Sequence, residues 1–324
     1  MTAPAECPPP VAGQWLVRAV LRGAVRLLFR GLVRPPMPIA GQRAVLRLLT
    51  AATLTPRGVT RTQAAIKGVP CEWLRPTRRS GNVLLYLHGG AYLIGSPATH
   101  RAITASLARS AGLAVCALDY RLAPEHPYPA AREDAVVAYR GLLEMGYRPE
   151  QIAIAGDSAG GNLTLITTLR LKELGLPLPV ALVCLSPWTD ASGSQWHTPP
   201  AGDPLLHPAW LRQAVELYCP PGLDRRDPGV SPLFADLAGL PPLLIQVGED
   251  EVLLNDSQRL AERARAANVA VRLERYPGLW HVFQVHAGVL KAADQALARV
   301  VTFLLEQQKG GDCNGQYPDY RRRF

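Results

Sequence analysis

The 324-residue chain contains no run of 18 apolar residues free of charge, so no transmembrane helix is expected. Its first ten residues carry no positive charge and are rich in proline, unlike the opening of a signal peptide, so a cytoplasmic location is the default expectation. No internal repeat recurs at a fixed period, which argues against a solenoid. Charged residues are scarce, at 19%, while apolar residues reach 48%; together these argue against a disordered chain and allow a large core. The six cysteines, Cys7, Cys71, Cys116, Cys184, Cys219 and Cys313, form no C-x-x-C pair and have no ligand-like spacing. Buried, reduced thiols are expected, and no metal site.

Acidic residues are nearly missing from the first quarter. Residues 1–80 hold thirteen Lys/Arg against Glu6 and Glu72, a net +11, whereas the rest of the chain is −2. The basicity therefore belongs to one segment. No recognition motif accompanies it, so no nucleic-acid partner is expected. Within that segment, residues 11–34 read as a helix with arginines at 18, 22, 26, 30 and 34, stopped by Pro35-Pro36. Two environments suit this helix: a cap whose apolar face covers the active site, which is the expectation, or a weak peripheral contact with a membrane through 11–34. A second short helix is read over 41–53.

Strand-like pieces surround a turn at Lys67-Gly68. From Val83 onward, short apolar runs alternate with helical segments, the pattern of a parallel sheet covered on both faces. The expected fold class is α/β, a mostly parallel twisted sheet with helices on both faces and a helical cap. The expected organisation is an N-terminal cap segment at 1–55, a catalytic domain at 56–308 with a cap insertion at 190–235, and a mobile polar tail at 309–324.

Gly156-Asp-Ser158-Ala-Gly160 is a G-x-S-x-G lying between a strand and a helix. That context is what a nucleophile elbow needs, because a sharp strand-to-helix turn exposes the serine Oγ and small neighbours let the chain fold so tightly. On its own the motif is weak, since a glycine-rich turn with a capping serine looks the same. His88-Gly89-Gly90-Ala91 follows the strand Val83–Leu87, and a turn without bulk there can aim backbone N–H groups at an oxyanion. The candidate oxyanion hole is Gly89, Gly90, Ala91 and Ala159.

A serine nucleophile needs a base, and the base needs an orienting carboxylate, in the chain order Ser, acid, His. His281 follows the last strand at the carboxyl edge of the sheet; His286 reads as a surface or capping residue. Glu249, Asp250 and Glu251 directly follow the strand Leu243–Val247, and position alone does not separate them. Asp256 would begin the next helix and reads as its N-cap.

These residues together resemble the hormone-sensitive-lipase-like family of bacterial esterases. The likeness covers roughly residues 60–307 and rests on His88–Tyr92, Asp119–His126, Gly156–Gly161, Asp250–Leu253 and Pro277–His281. It implies an α/β-hydrolase fold and a Ser158–Asp250–His281 triad, with Asp250 selected by the family's Asp-x-x-Leu. It also implies that His88 is structural and that Arg121 and Glu125 brace loops. The implied function is serine ester hydrolysis on short-chain esters or lactones, without cofactor. An acetyl-amide or acetyl-ester hydrolase of a small metabolite is the alternative. A non-catalytic ligand-binding protein on the same fold is the rival, but such proteins lose a triad residue. Tyr92, Trp196 and Trp210 are candidate substrate contacts, and a homodimer is left open.

Overall fold

The computed structural model describes residues 5–6, 13–50, 58–77 and 80–310. The expected tail therefore falls outside the described residues from position 311 on, as do Cys7 and Cys313. Nine strands form one sheet: β1 (Ala5–Glu6), β2 (Val59–Ile66), β3 (Val69–Pro76), β4 (Val83–Leu87), β5 (Ala114–Leu118), β6 (Ile152–Asp157), β7 (Ala181–Leu185), β8 (Leu243–Gly248) and β9 (Val271–Tyr276). Their order is β1-β9-β8-β7-β6-β4-β5-β3-β2. Among the described residues, only the β2–β3 and β3–β5 pairings are antiparallel. β2 and β3 are joined at Lys67-Gly68, where both residues have positive φ, +50° and +87°, the backbone of a tight two-residue hairpin turn.

Along β4, Val83, Leu85 and Leu87 enter one apolar cluster, while Leu84 and Tyr86 enter the cluster on the opposite face. This period of two on a strand with no exposed residue is how a sheet covered on both sides is built. One face is covered by α3 (Arg101–Ala111) and the final helix (Lys291–Gly310). The other is covered by α4 (Ala130–Glu144), α5 (Ala159–Glu173) and α7 (Leu254–Ala266). Cys71, Cys116, Cys184 and Cys219 are buried free thiols.

The N-terminal segment forms α1 (Trp15–Arg26), continues as a π-helical turn over Leu27–Leu32, and resumes as α2 (Ile39–Thr50). The break at Leu32 comes before the prolines that were expected to stop the helix. Arginines fasten this segment to the rest. Arg22 donates to the Ala201 and Gly202 carbonyls, and Arg30 to the Asp203 carbonyl, all in the 190–235 segment that interrupts the strand–helix alternation. Arg43 forks onto both carboxylate oxygens of Glu125 at 2.8 Å and also reaches the Leu93 and Ala123 carbonyls. The same segment forms α6 (Pro208–Tyr218), whose Trp210 Nε1–H donates to Gln42 Oε1 of α2 at 3.4 Å.

Candidate active site

Ser158 sits at the junction of β6 and α5 with φ +53° and ψ −118°, a strained conformation for a residue with a side chain. The turn is held by the Ser158 N–H to Leu185 O bond at 2.8 Å, and its carbonyl accepts from Trp188 and Asn162. Its sharpness depends on missing side chains: a Cβ on Gly160 would stand 1.9 Å from the Leu87 carbonyl oxygen. This close approach brings the start of α5 against the end of β4, where the glycine loop begins.

That loop is locked to the elbow by Asp157. Its buried carboxylate accepts from Tyr86 Oη at 2.7 Å, the Gly89 N–H at 3.1 Å and His100 Nε2 at 3.0 Å. Burial opposes ionisation of Asp157, but the charge and hydrogen bond of His100, with the Tyr86 bond, outweigh it and hold the carboxyl below its ordinary range. His100 moves the opposite way: burial would discharge it, and the Asp157 carboxylate overrides this and keeps it above the usual histidine value. His88 stacks on Tyr120, with ring centroids 4.2 Å apart; burial drives it down to about 3, so it is neutral.

The Gly89 N–H is thus spent on Asp157, which removes Gly89 from the expected set of oxyanion donors. The Gly90, Ala91 and Ala159 N–H groups have no acceptor among the described residues. Gly90 adopts φ +116°, which a side chain would oppose, and its carbonyl accepts from Leu93 and Ile94 to close the turn. Ala91, at φ +53°, continues the loop in the left-handed region.

The structure separates the three carboxylates after β8. Glu249 pairs with Arg275 at 2.6 Å, Asp250 pairs with Arg22 of α1 at 2.8 Å, and Glu251 Oε1 accepts from His281 Nδ1 at 3.1 Å. Glu251 is fully buried, and its Oε2 accepts from Ser186 Oγ at 2.7 Å and from the Gly248 N–H at 2.9 Å. Asp250, the expected partner of His281, is therefore replaced in that place by its neighbour. The reason is the shape of the turn. The Glu249 N–H donates to Tyr276 O and the Asp250 N–H to Leu279 O, which turns residue 251 inward and residue 250 out toward α1. Asp256 is not an N-cap either. It is buried two residues into α7, accepts from the Thr189 and Asp190 N–H groups, and is pushed up to about 7 by burial first and the Asp190 charge next.

Burial also opposes a charge on His281. The Glu251 hydrogen bond and charge, followed by the charges of Asp203 and Asp157, override it and raise the imidazole above its ordinary value of 6.5. Its neighbour Val282 N–H donates to Ser186 Oγ, so one serine ties Glu251 to the loop that carries His281. His286, expected at the surface or as a cap, closes the short turn Phe283–His286 before the last helix. It lies half-buried, edge-on to Trp280, and burial lowers it to about 4.

Of the aromatic residues expected at the substrate, Tyr92 is buried, stacked on Tyr218 with centroids 3.8 Å apart, and its hydroxyl donates to Asn162 Oδ1. Asn162 in turn donates to the Trp188 and Val230 carbonyls, so the buried Tyr92 hydroxyl is engaged in bracing the start of α5. Trp210 is an anchor between α6 and α2. Trp196 packs over Gly193 and its buried Nε1–H has no partner among the described residues. Arg121 and Glu125 do brace loops, through Asp134 and Arg43. His100, Ser186 and Asp203 had no local sequence signal. Each becomes meaningful only through partners 49 to 96 residues away.

A family model described as alpha/beta hydrolase fold matches residues 84–285. The chain is 47% identical over 235 residues to an acetyl-hydrolase of Streptomyces hygroscopicus, covering 72% of this chain and 78% of that one. It is 39% identical over 240 residues to an esterase of Acinetobacter venetianus, covering 74% and 79%. An ethyl acetate hydrolase of Pseudomonas putida is 35% identical over 232 residues, covering 69% and 73%. Among solved structures, an esterase from the bacterial hormone-sensitive lipase family superposes with a TM-score of 0.85 at 40% identity, covering 90% of this chain and 98% of that one. A hormone-sensitive lipase from a metagenome library gives 0.86 at 38%, covering 93% and 100%.

Proposed function

The chain belongs to the α/β-hydrolase family, among the bacterial esterases of hormone-sensitive-lipase type, and is a carboxylesterase-type hydrolase; we propose that it works through an acyl-enzyme on Ser158, with His281 as base and Glu251 as the carboxylate that orients it. The observation that carries this reading is the buried His281–Glu251 pair on the same sheet edge as the strained Ser158. Ser158 Oγ attacks the ester carbonyl as its proton passes to His281 Nε2. The oxyanion is held by the Gly90, Ala91 and Ala159 N–H groups, the last aided by the N-terminus of α5. The imidazolium protonates the leaving alcohol. Water then gives its proton to His281, attacks the acyl carbonyl and releases the acid, restoring Ser158. No step needs a metal or cofactor.

The substrates we propose are short-chain carboxylic esters, acetyl esters foremost, with small lactones as a second group. The names of the relatives above favour the acetyl group. Trp196 is the aromatic residue we retain as a pocket wall. Its loop hangs from the turn that carries Glu251, through a His197 N–H to Val252 O bond at 2.9 Å. A series of p-nitrophenyl esters is expected to give the highest kcat/KM at the acetyl and butyryl members and to fall steeply by the octanoyl member. A maximum at long chains would defeat the short-chain assignment, and no turnover of any member would defeat the ester reading.

The base must be neutral to accept the Ser158 proton. Because the Glu251 bond and the surrounding carboxylates raise His281 despite its burial, activity is expected to be low in acid and to rise with pH through an inflection above 6.5. A rate profile flat from about pH 5 to 8 under chemistry-limited conditions would contradict a histidine base.

A further inference from the structure

Two apolar rows run along α1 and the π-helical turn that continues it. One row, Leu21 and Val25 of α1 with Leu28 and Phe29 of the turn, packs down onto the body of the protein. The other faces away from it. Leu16 and Val20, one turn apart on α1, and Leu27, which opens the π-helical turn, are 57%, 61% and 75% exposed, and Trp15 beside them is 70% exposed. α2 likewise ends with Leu48 and Leu49 turned outward. A row of this size is costly to leave in water and marks a contact surface.

The charges that this segment itself carries have one sign. Residues 11–50 contain seven arginines and no acid. Arg22 is neutralised by Asp250 and Arg43 by Glu125. Among the described residues, Arg18, Arg26, Arg30, Arg34 and Arg47 form no ion pair. Three of them surround a cleft of about 350 Å³ between the π-helical turn and the start of α6, lined by Arg26, Arg30, Arg34 and His207 above an apolar floor that includes Phe29 and Trp210. No carboxylate lines it. Arg26 is exposed and adjoins Leu27, so the cationic cleft and the outward apolar row meet.

We propose that this face of the cap docks on an anionic lipid surface, with Leu16, Val20, Leu27 and Trp15 entering the headgroup–acyl boundary and the guanidinium cleft holding a lipid phosphate. Amphipathic helices rich in arginine bind interfaces in this way, by apolar insertion joined to attraction for anionic headgroups. None of the described helices is long and apolar enough to cross a membrane, so the contact is peripheral. A second copy of the chain is a poorer occupant. A two-fold contact on this face would press one set of unneutralised arginines against its twin, with no carboxylate between them.

The test is co-sedimentation of the full-length protein with phosphatidylglycerol vesicles and with phosphatidylcholine vesicles. Binding is expected to the first only, and to fall about tenfold or more when salt is raised to screen it. Leu16→Ser/Val20→Ser/Leu27→Ser and, separately, Arg26→Gln/Arg34→Gln should each lower phosphatidylglycerol binding by about tenfold or more. The triple variant should hydrolyse p-nitrophenyl acetate normally, which serves as its folding control. Equal binding to both lipids, or none, overturns the proposal. So does unchanged binding by either variant, or binding to polyglutamate as tight as to vesicles. A dimer that the triple variant abolishes assigns the face to a second copy instead.

Discussion

Replacing Ser158 with alanine is expected to remove ester hydrolysis while leaving the fold intact, a loss on the order of 10⁴–10⁶ in kcat. The fold should survive because the bonds that shape the elbow are backbone bonds, from Ser158 N–H to Leu185 O and from Trp188 and Asn162 to Ser158 O, and alanine keeps them. The conformational strain at φ +53° is the same for alanine as for serine. The side-chain oxygen forms no hydrogen bond among the described residues, so no buried partner is orphaned. Thermal unfolding should therefore be nearly unchanged. What disappears is the atom that bonds to the acyl carbon, and with it the mass increase expected when the protein is quenched during turnover of a slow ester. Some rate above water should persist, because the three backbone donors still polarise the carbonyl. Near-normal turnover in a pure Ser158→Ala sample, or an acyl adduct that survives the change, would remove Ser158 from the mechanism.

How far the sequence could be read depended on whether the deciding interaction was local. β4 is legible because its continuous apolar run can exist only where both faces are covered, and Lys67-Gly68 because a tight turn needs positive φ. The nucleophile elbow is legible because Gly156, Ser158 and Gly160 lie within five residues, and the close approach that demands Gly160 is to the strand next door. The acid is different. Glu249, Asp250 and Glu251 are chemically alike, and their spacing says nothing about which one points inward. The choice is made by Tyr276 and Leu279, which fix the turn, and by Ser186, which waits to donate. The resemblance selected Asp250 by pattern, and the fold gave that residue to an arginine of α1. α1 has the same ambiguity: periodicity shows two apolar rows, but only the position of Asp250 and the insertion carbonyls decides which side of the helix faces the protein.

Glu251→Gln is expected to lower kcat by about 10⁴, whereas Asp250→Asn should cost less than about tenfold. The difference follows from the hydrogens. Oε2 of Glu251 receives two donors, Ser186 Oγ–H and Gly248 N–H. In a glutamine at this site the amide oxygen must take that place, because an NH₂ there would face two donors. The NH₂ is then left pointing at His281 Nδ1. Nδ1 must become an acceptor, so the proton of the neutral ring moves to Nε2, the nitrogen that has to receive the Ser158 proton. The ring also loses the carboxylate that holds its titration above the ordinary value, so the residual activity should show its inflection at lower pH than the parent. Size and shape are conserved, so the fold should hold. Asp250→Asn removes one partly solvated ion pair, to Arg22, which screening makes worth little, and leaves the Asp250 N–H to Leu279 O bond in place. The measurement is kcat and its pH profile for both variants on one soluble ester, with unfolding curves beside them. If Asp250→Asn proves the crippled variant and Glu251→Gln turns over normally, the assignment of the acid is wrong, and the cap would have to release Asp250 from Arg22 before each reaction.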